Sequence, residues 1–328
     1  MPYPVHDTTV YDVEVDPDAP NHSHAYALGM VGHNKRVLEL GCAAGHFTRA
    51  LVKRGCVVVG VEIDPAAAER ARQVAERVLI TDLDRPDALS ELADGQFDVI
   101  VAGDTLEHLR DPLPVLRTCR RLLRVGGFIV VSVPNVAHAD LRLTLLGGKF
   151  PYRESGLLDT THLRFFTRQT VHDLLSAAGF VTVEIKRVIV PIFEAEFQVD
   201  RAAFPPAVID RILEDPEAET YQFVVKAVLD DGDARVQSLS QEYESLEDRL
   251  NQKDRLIARL EGQVKDSEET IAAMADAIAQ TTELERRTAE LEARAVEAEQ
   301  ALEAVLQTKT MRTVAPLRRV YGRIRGSG

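Results

Sequence analysis

The chain has no tryptophan, and phenylalanine and tyrosine bring aromatics to only 5% of its 328 residues. Positive charge is also short, with 39 Lys and Arg against 52 Asp and Glu for a net of -13. A chain of this balance lacks the broad basic surface that duplex nucleic acid demands, so no nucleic-acid partner is expected. Cysteine is scarce: Cys42, Cys56 and Cys119 form neither a CxxC pair nor an even disulfide framework. That argues against a structural zinc and suits a reducing, cytosolic compartment. Long apolar runs are missing too. The start, MPYPVHDTTVYDVEVDPD, is acidic, and the longest apolar stretches, Phe128 to Val133 and Val188 to Phe193, fall far below the roughly 20 residues of a span. Neither a signal peptide nor a membrane span is expected.

From about Asn34 to Val133 short β-branched runs alternate with helical patterns: RVLEL, HFTRALVKRG, CVVVGVEI, PAAAERARQVAERV, VLITD, QFDVIVAG, PLPVLRTCRRLLR and GGFIVVSV. Apolar strands spaced by helices are the pattern of a buried parallel sheet with helices on both faces. Pro65 and Pro112 stand where first helical turns begin, each behind an aspartate able to cap, and Gly55 and Gly126 close the preceding helices. A helix from Arg168 to Ala178 and strands near Phe180 to Val190 and Thr220 to Val228 complete the sheet with an antiparallel edge. The expected fold is α/β, a Rossmann-like, mostly parallel sheet over 34–229 after a lead-in segment at 1–33.

The segment VLELGCAAGHFTRAL carries the sharpest chemistry: a strand ending in Glu39, a turn through Gly41, Cys42, Ala43, Ala44 and Gly45, then a helix. Glycines at such a turn let a ligand approach the backbone, and a helix start offers free N–H groups. The spacing is G-x-x-x-G rather than the dinucleotide G-x-G-x-x-G, and an acid stands two residues before the first glycine. That acid disfavours a pyrophosphate and suits an ammonium, which weighs against a nicotinamide dehydrogenase. The next strand ends in Glu62, about 20 residues on, where a carboxylate takes ribose hydroxyls and Ile63 can cover an adenine face. The third leads to Asp82 and Leu83, placed for an exocyclic amine, and the fourth to Asp104. Four acids at the carboxyl ends of four strands are hard to explain as solvated surface.

Taken together, VLELGCAAG, VVVGVEIDP, FDVIVAGDTLEHLRDP, LLRVGGFIVVSVPN and HLRFFTRQTVHDLLSAAGF resemble class I S-adenosylmethionine-dependent methyltransferases, in that family's order and over about residues 20 to 228. The resemblance implies that Gly41 to Gly45 lie along the methionine part of S-adenosylmethionine, Glu62 holds the ribose and Asp82 reaches the adenine amine. Ala43 departs from the glycine many members carry, a mild change unless φ is positive there. Methyl transfer to a hydroxyl needs alignment and a proton acceptor. The histidine candidates are His108 in LEHL, His138 after SVPN and His162 in DTTHLRFFT. Asp159 with Asp140 makes a poor cation pair, since neither spacing fixes an octahedral site, and no metal ligands are assigned.

Beyond DDGD there is no proline before Pro316 and a single glycine, Gly262. Apolar positions step by four and three through Leu239, Tyr243, Leu246, Leu250, Ile257, Leu260, Val264, Ile271, Met274 and Ile278, slip near Thr281, and resume at Leu284, Leu291, Leu302 and Val305. Lys253 and Ser267 interrupt the seam. Such heptads predict a coiled coil over 230–308, on the order of 100 Å long, joining chains as a dimer or trimer. At 309–328 the chain turns basic, and Leu317, Val320, Tyr321 and Ile324 share a face among arginines. That is the pattern of a segment lying on an anionic surface, here the inner face of the plasma membrane, or docking on glycan-assembly enzymes.

KTMRTVAPLRRVYGRIR resembles a short basic motif at the ends or junctions of bacterial enzymes that build surface polysaccharides. With the coiled coil it implies a methyltransferase whose acceptor is a sugar or glycan end. Two other readings stand beside it. One is a small-molecule O- or N-methyltransferase, acting on a quinone precursor or secondary metabolite, with a greasy pocket from Phe150, Tyr152, Phe165 and Phe166 and a coiled coil used only to oligomerise. The other is a scaffold without catalysis, which the intact acids speak against.

Overall fold

In a computed structural model, residues 15–232 and 234–307 are described. Residues through Gln252 form one compact unit, and Lys253 onward a second. The first holds β1 (Arg36–Leu40), β2 (Val57–Glu62), β3 (Arg77–Ile80), β4 (Phe97–Gly103), β5 (Leu123–Pro134), β6 (Phe180–Ile189) and β7 (Thr220–Leu229). They form one sheet in the order β3-β2-β1-β4-β5-β7-β6, with β1 to β5 parallel. The antiparallel pairings lie at that end of the sheet, where β7 runs against both β5 and the outermost β6. This is the Rossmann-like arrangement expected, with strand order reversing between β1 and β4, the place where such sheets take ligands.

Alternation along each strand builds two cores. Leu38, Leu40, Val59, Val61, Ile100, Ala102, Ile129 and Val131 face α4 (Pro112–Leu122) and α6 (Arg168–Ala177). Val37, Val58, Val99, Val101 and Val130 face α1 (Ser23–Val31) and α2 (His46–Lys53). Because successive side chains alternate faces, Glu39 shares the Val37 face and points toward α2. Helix starts follow the capping rules. Asp64 accepts the Ala66 N–H ahead of α3 (Pro65–Ala71), and Asp111 accepts the Leu113 N–H ahead of α4, with proline in each first turn. Two differences from the sequence reading stand out. The lead-in contributes α1, whose Leu28 and Val31 are buried in the core, so the domain begins before Asn34. Gly126 closes no helix: α4 ends at Leu122, and Gly126 lies within β5 at φ 77°.

After β5 come α5 (Ala139–Leu146) and a loop over 147–167 that folds back across the sheet's carboxyl edge. The Leu163 and Arg164 N–H groups donate to the Glu107 carbonyl (2.8 and 2.9 Å), and the Val136 N–H to the Phe166 carbonyl. A short helix α7 (Pro206–Leu213) packs beside α5, with Ala139, Leu143, Ile212 and Ala218 forming a small separate core.

The last element, α8 (Ala234–Leu306), is one unbroken 73-residue helix. Near its start Asp248 takes an ion pair from Arg168 and a 3.2 Å contact from Arg187, whose guanidinium is also paired with buried Glu217 at 3.0 Å. The register slip near Thr281 does not break it; the Thr281 and Thr282 hydroxyls donate back to the Ala277 and Ile278 carbonyls. None of the described helices is long and apolar enough to cross a membrane. The basic tail, 309–328, lies outside the described residues.

Candidate functional site

The carboxyl ends of β2, β1 and β4 lie side by side along one edge of the sheet. At the end of β1, Glu39 is buried and its Oε2 accepts the Thr48 hydroxyl at 2.6 Å. Burial, more than any neighbour, pushes its carboxyl up to about 8. A carboxyl held neutral this way is stabilised in its charged form by an arriving cation.

The turn that follows is strained where the sequence reading was lenient. Gly41, Ala43 and Gly45 have φ of 68°, 44° and 81°. Positive φ at an alanine costs about 1 kcal/mol, so the missing glycine at Ala43 is not mild. Gly41 has a second reason to be glycine, since a Cβ there would stand 2.7 Å from the Thr105 Oγ1. Cys42, expected at the cofactor, turns inward instead. Its side chain packs with Ala68, Ala71 and Val78, its N–H donates to the Val61 carbonyl, and burial pushes its thiol pKa up. Cys42 is a packing residue, and Gly60 is glycine because a Cβ would meet its sulfur at 2.6 Å.

At the end of β2 the Glu62 carboxylate accepts three backbone N–H groups at 2.9 Å: Ala43 on Oε2, Ile63 and Asp64 on Oε1. These tie the glycine turn to β2 and fix the carboxylate's direction. Ile63 beside it is 58% exposed, an apolar face left open at that edge. Past β3, Asp82 accepts the Asp84 N–H (2.9 Å), and the Asp84 carboxylate in turn accepts the Arg110 N–H. Leu83 packs partly against the main core. Asp104 closes the row at φ 48°, its Oδ1 accepting the Ser132 hydroxyl (2.9 Å) and the Gln222 amide.

Beyond Asp104 lies a histidine pair that the folded-back loop brings together. His108 ends the short 3-10 turn Leu106–His108, and its ring meets His162 edge-on with centroids 4.9 Å apart. Burial lowers the pKa of both, and in His108 the neighbouring His162 adds to that. Burial thus favours the neutral form of both imidazoles. Asp159 anchors the loop by accepting the Thr161 N–H and hydroxyl at 2.7 and 2.6 Å. Next to His162 stands an aromatic wall: Phe165 at 6.4 Å, then Phe150 at 6.2 Å from Phe165, then Tyr152 at 5.2 Å from Phe150. Phe150, Phe165 and Tyr152 are exposed, Tyr152 to 61%, whereas Phe166 is buried.

His138 is not part of this group. It is 0% exposed; its Nδ1 accepts the Asp140 N–H (3.2 Å) and its Nε2 lies 2.8 Å from the Val190 carbonyl. With Nδ1 spent on capping α5 and Nε2 on the Val190 carbonyl, neither nitrogen is open to a substrate. Asp140 likewise binds no cation with Asp159, because its carboxylate accepts the Phe193 and Ala195 N–H groups at 2.7 and 3.0 Å.

Two groups escaped the sequence reading. Glu107, buried beside His108, has a carboxyl pKa raised well above the usual range by burial, with Asp104 and Asp159 adding to it. The dipeptide Glu107-His108 was its signal. His24 of α1 faces Asp104, whose charge partly offsets the lowering of its pKa by burial, and it packs on Phe47 at 5.6 Å. Nothing in the lead-in's composition singles it out.

The row of acids at the strand ends and the glycine turn share one sheet edge under the folded-back loop. The methyltransferase-domain family matches residues 19–185, and the chain belongs to it. Among curated proteins it is similar to the ubiquinone biosynthesis O-methyltransferases of Psychrobacter arcticus (30% identity over 173 residues, 50% of this chain and 65% of that one) and Cereibacter sphaeroides (32% over 155 residues, 46% and 62%). The chain thus spans less than two thirds of those relatives' length. Among solved structures it is similar to a SAM-dependent methyltransferase from Archaeoglobus fulgidus, with 19% identity, TM-score 0.47, and 62% and 91% of the two chains covered.

Proposed function

We propose that the chain is an S-adenosylmethionine-dependent methyltransferase and that it methylates a hydroxyl on a small aromatic acceptor. The exposed aromatic wall of Phe150, Tyr152 and Phe165 beside the His108–His162 pair carries this reading. It supplies the greasy pocket of the small-molecule alternative, and the curated relatives' O-methyltransferase names agree with it. The sugar or glycan acceptor rested on the C-terminal tail, outside the described residues.

The bound cofactor supplies a methyl group on a sulfonium. Glu39 is assigned to its ammonium, Glu62 to the ribose hydroxyls, Asp82 to the adenine amine, and Ile63 and Leu83 to the faces of the ring. Gly41, Ala43 and Gly45 bring bare backbone alongside the chain between them, and Asp104 borders the acceptor side. The displacement is in line, so the protein's task is to hold the acceptor oxygen at the methyl carbon and take away its proton. His162 and His108 are the groups placed for that second part.

The test is a panel of alkylated phenols and catechols against free and phosphorylated sugars, with product mass and released S-adenosylhomocysteine measured. A methylated phenol is expected, with Tyr152→Ala raising its KM roughly tenfold at little cost in kcat, in line with loss of uniform binding. Methylation of sugars alone overturns the reading.

We further propose that α8 pairs with copies of itself. Leu250, Ile257, Leu260, Val264, Ile271, Met274 and Ile278 are all exposed along it, and a helix polar all round would not carry such a seam. Light scattering on the full chain should give a multiple of 36.3 kDa, falling to that value when Ile257, Ile271 and Ile278 become aspartate. An unchanged mass removes the seam's role.

A further inference from the structure

We propose that Glu107, His108 and His162 form a binding site for a divalent first-row transition-metal ion. One donor atom from each lies within 4.8 Å of the other two. Ligands at about 2.0 to 2.2 Å from a shared ion stand somewhat closer together than that, so the three need only small side-chain movements to close on one. Two imidazoles and a carboxylate favour zinc, manganese or iron over magnesium or calcium, which prefer all-oxygen shells.

Three further observations point to a ligand. Glu107 is 1% exposed, and its Oε2 has no hydrogen-bond partner among the described residues. A carboxyl oxygen left unpartnered in that setting is costly, and a cation that displaces any proton on it relieves that cost. The His162 Nδ1 lies 3.3 Å from the Leu157 carbonyl, and His108 has a hydrogen bond to the Thr161 backbone. A ring nitrogen donating to a carbonyl fixes the tautomer and leaves the other nitrogen's lone pair for a metal, the usual outer arrangement of ligating histidines. Finally, the Leu163 and Arg164 N–H groups are bonded to the Glu107 carbonyl, so the backbones carrying the first and third ligands are tied to each other. The site is assembled by the fold rather than by chance proximity of mobile side chains.

The ion's part in catalysis rests on the hydroxyl-acceptor reading above. Holding the ion takes His108 and His162 out of the proton-accepting role, so the acceptor O–H would give its proton to solvent as an oxygen electron pair binds the ion; a second pair would then form the O–CH3 bond while the C–S bond breaks, its electrons staying on sulfur. Such a Lewis acid lowers the acceptor's pKa and positions it in one step.

The test uses the full chain after chelator treatment, titrated calorimetrically with zinc, manganese and magnesium, with cobalt added separately for its visible absorption. One saturable transition-metal site per chain is expected, with magnesium far weaker. His162→Ala, in a surface loop, should weaken zinc binding roughly 100-fold, Glu107→Gln comparably, and His33→Ala, at the opposite end of the sheet, not at all. No saturable site, or equal affinity in His162→Ala, overturns the proposal; metal held by the acidic α8 gives that second result. Two activity outcomes separate this inference from the reading beneath it. Full-rate phenol methylation by the chelated enzyme removes the ion's catalytic role and leaves the hydroxyl acceptor standing. A metal bound at these residues with no phenol methylated removes the acceptor reading and leaves the site.

Discussion

Glu62→Ala is expected to lower affinity for S-adenosylmethionine roughly 100-fold or more while leaving a folded protein. Hydrogen bonds to a charged acceptor contribute about 1.5 to 3 kcal/mol each, so losing two to a ribose diol accounts for that factor. The carboxylate also holds the turn's shape, since it accepts the Ala43, Ile63 and Asp64 N–H groups. Truncation leaves the strained turn at Ala43 without its tie to β2. Glu62→Gln separates the two parts. Its one carbonyl oxygen can still serve the turn, but its amide cannot accept a second hydroxyl, so an intermediate loss is expected with a melting temperature closer to the parent's. Calorimetry with S-adenosylhomocysteine reads both variants without needing an acceptor. Unchanged affinity in Glu62→Ala would mean the ribose lies elsewhere.

How much of this was legible in the sequence follows from the range of the forces involved. The strands were readable because burial on both faces leaves continuous Val, Ile and Leu, and the acids at Glu39, Glu62, Asp82 and Asp104 were readable because topology puts every strand end on one edge. Residues whose roles depend on distant backbone were not. His138 resembles a catalytic histidine until Val190 closes over its ring, and Asp140 resembles a cation ligand until the 190s loop lays two amides on it. Cys42 sits inside the cofactor motif, yet β2's glycine at position 60 opens a hole that its sulfur fills. Glu107 was hidden for the opposite reason. In Leu-Glu-His it reads as a solvated turn acid, and only the return of the loop over 157–166 buries it against His108 and His162.

Glu39 leads to the second large effect, which shows as a pH dependence of opposite sign in stability and in binding. Burial holds its carboxyl at about 8 in the folded chain, whereas an unfolded glutamate titrates near ~4.3. Between those values the folded state keeps a proton that the unfolded state has released, so stability falls as pH rises through this window. Below it no penalty is present; above pH 8 a penalty on the order of 5 kcal/mol has accrued. Glu39→Gln stays neutral throughout, so its melting temperature should match the parent's at pH 5 and exceed it at pH 9. Cofactor affinity should run the other way. An ammonium needs the carboxylate, so the parent's affinity should climb toward pH 8 and then decline as the cofactor's own amine, near ~8, loses its proton. The variant should lack the rising limb and bind more weakly at pH 8. Parallel melting curves across pH 5 to 9 would show that Glu39 is charged in the free protein. The neutral carboxyl would then be no part of the site, and the ammonium would meet a pre-ionised partner instead. If the curves diverge as expected, a residue that weakens the empty enzyme is one that the cofactor's charge makes whole.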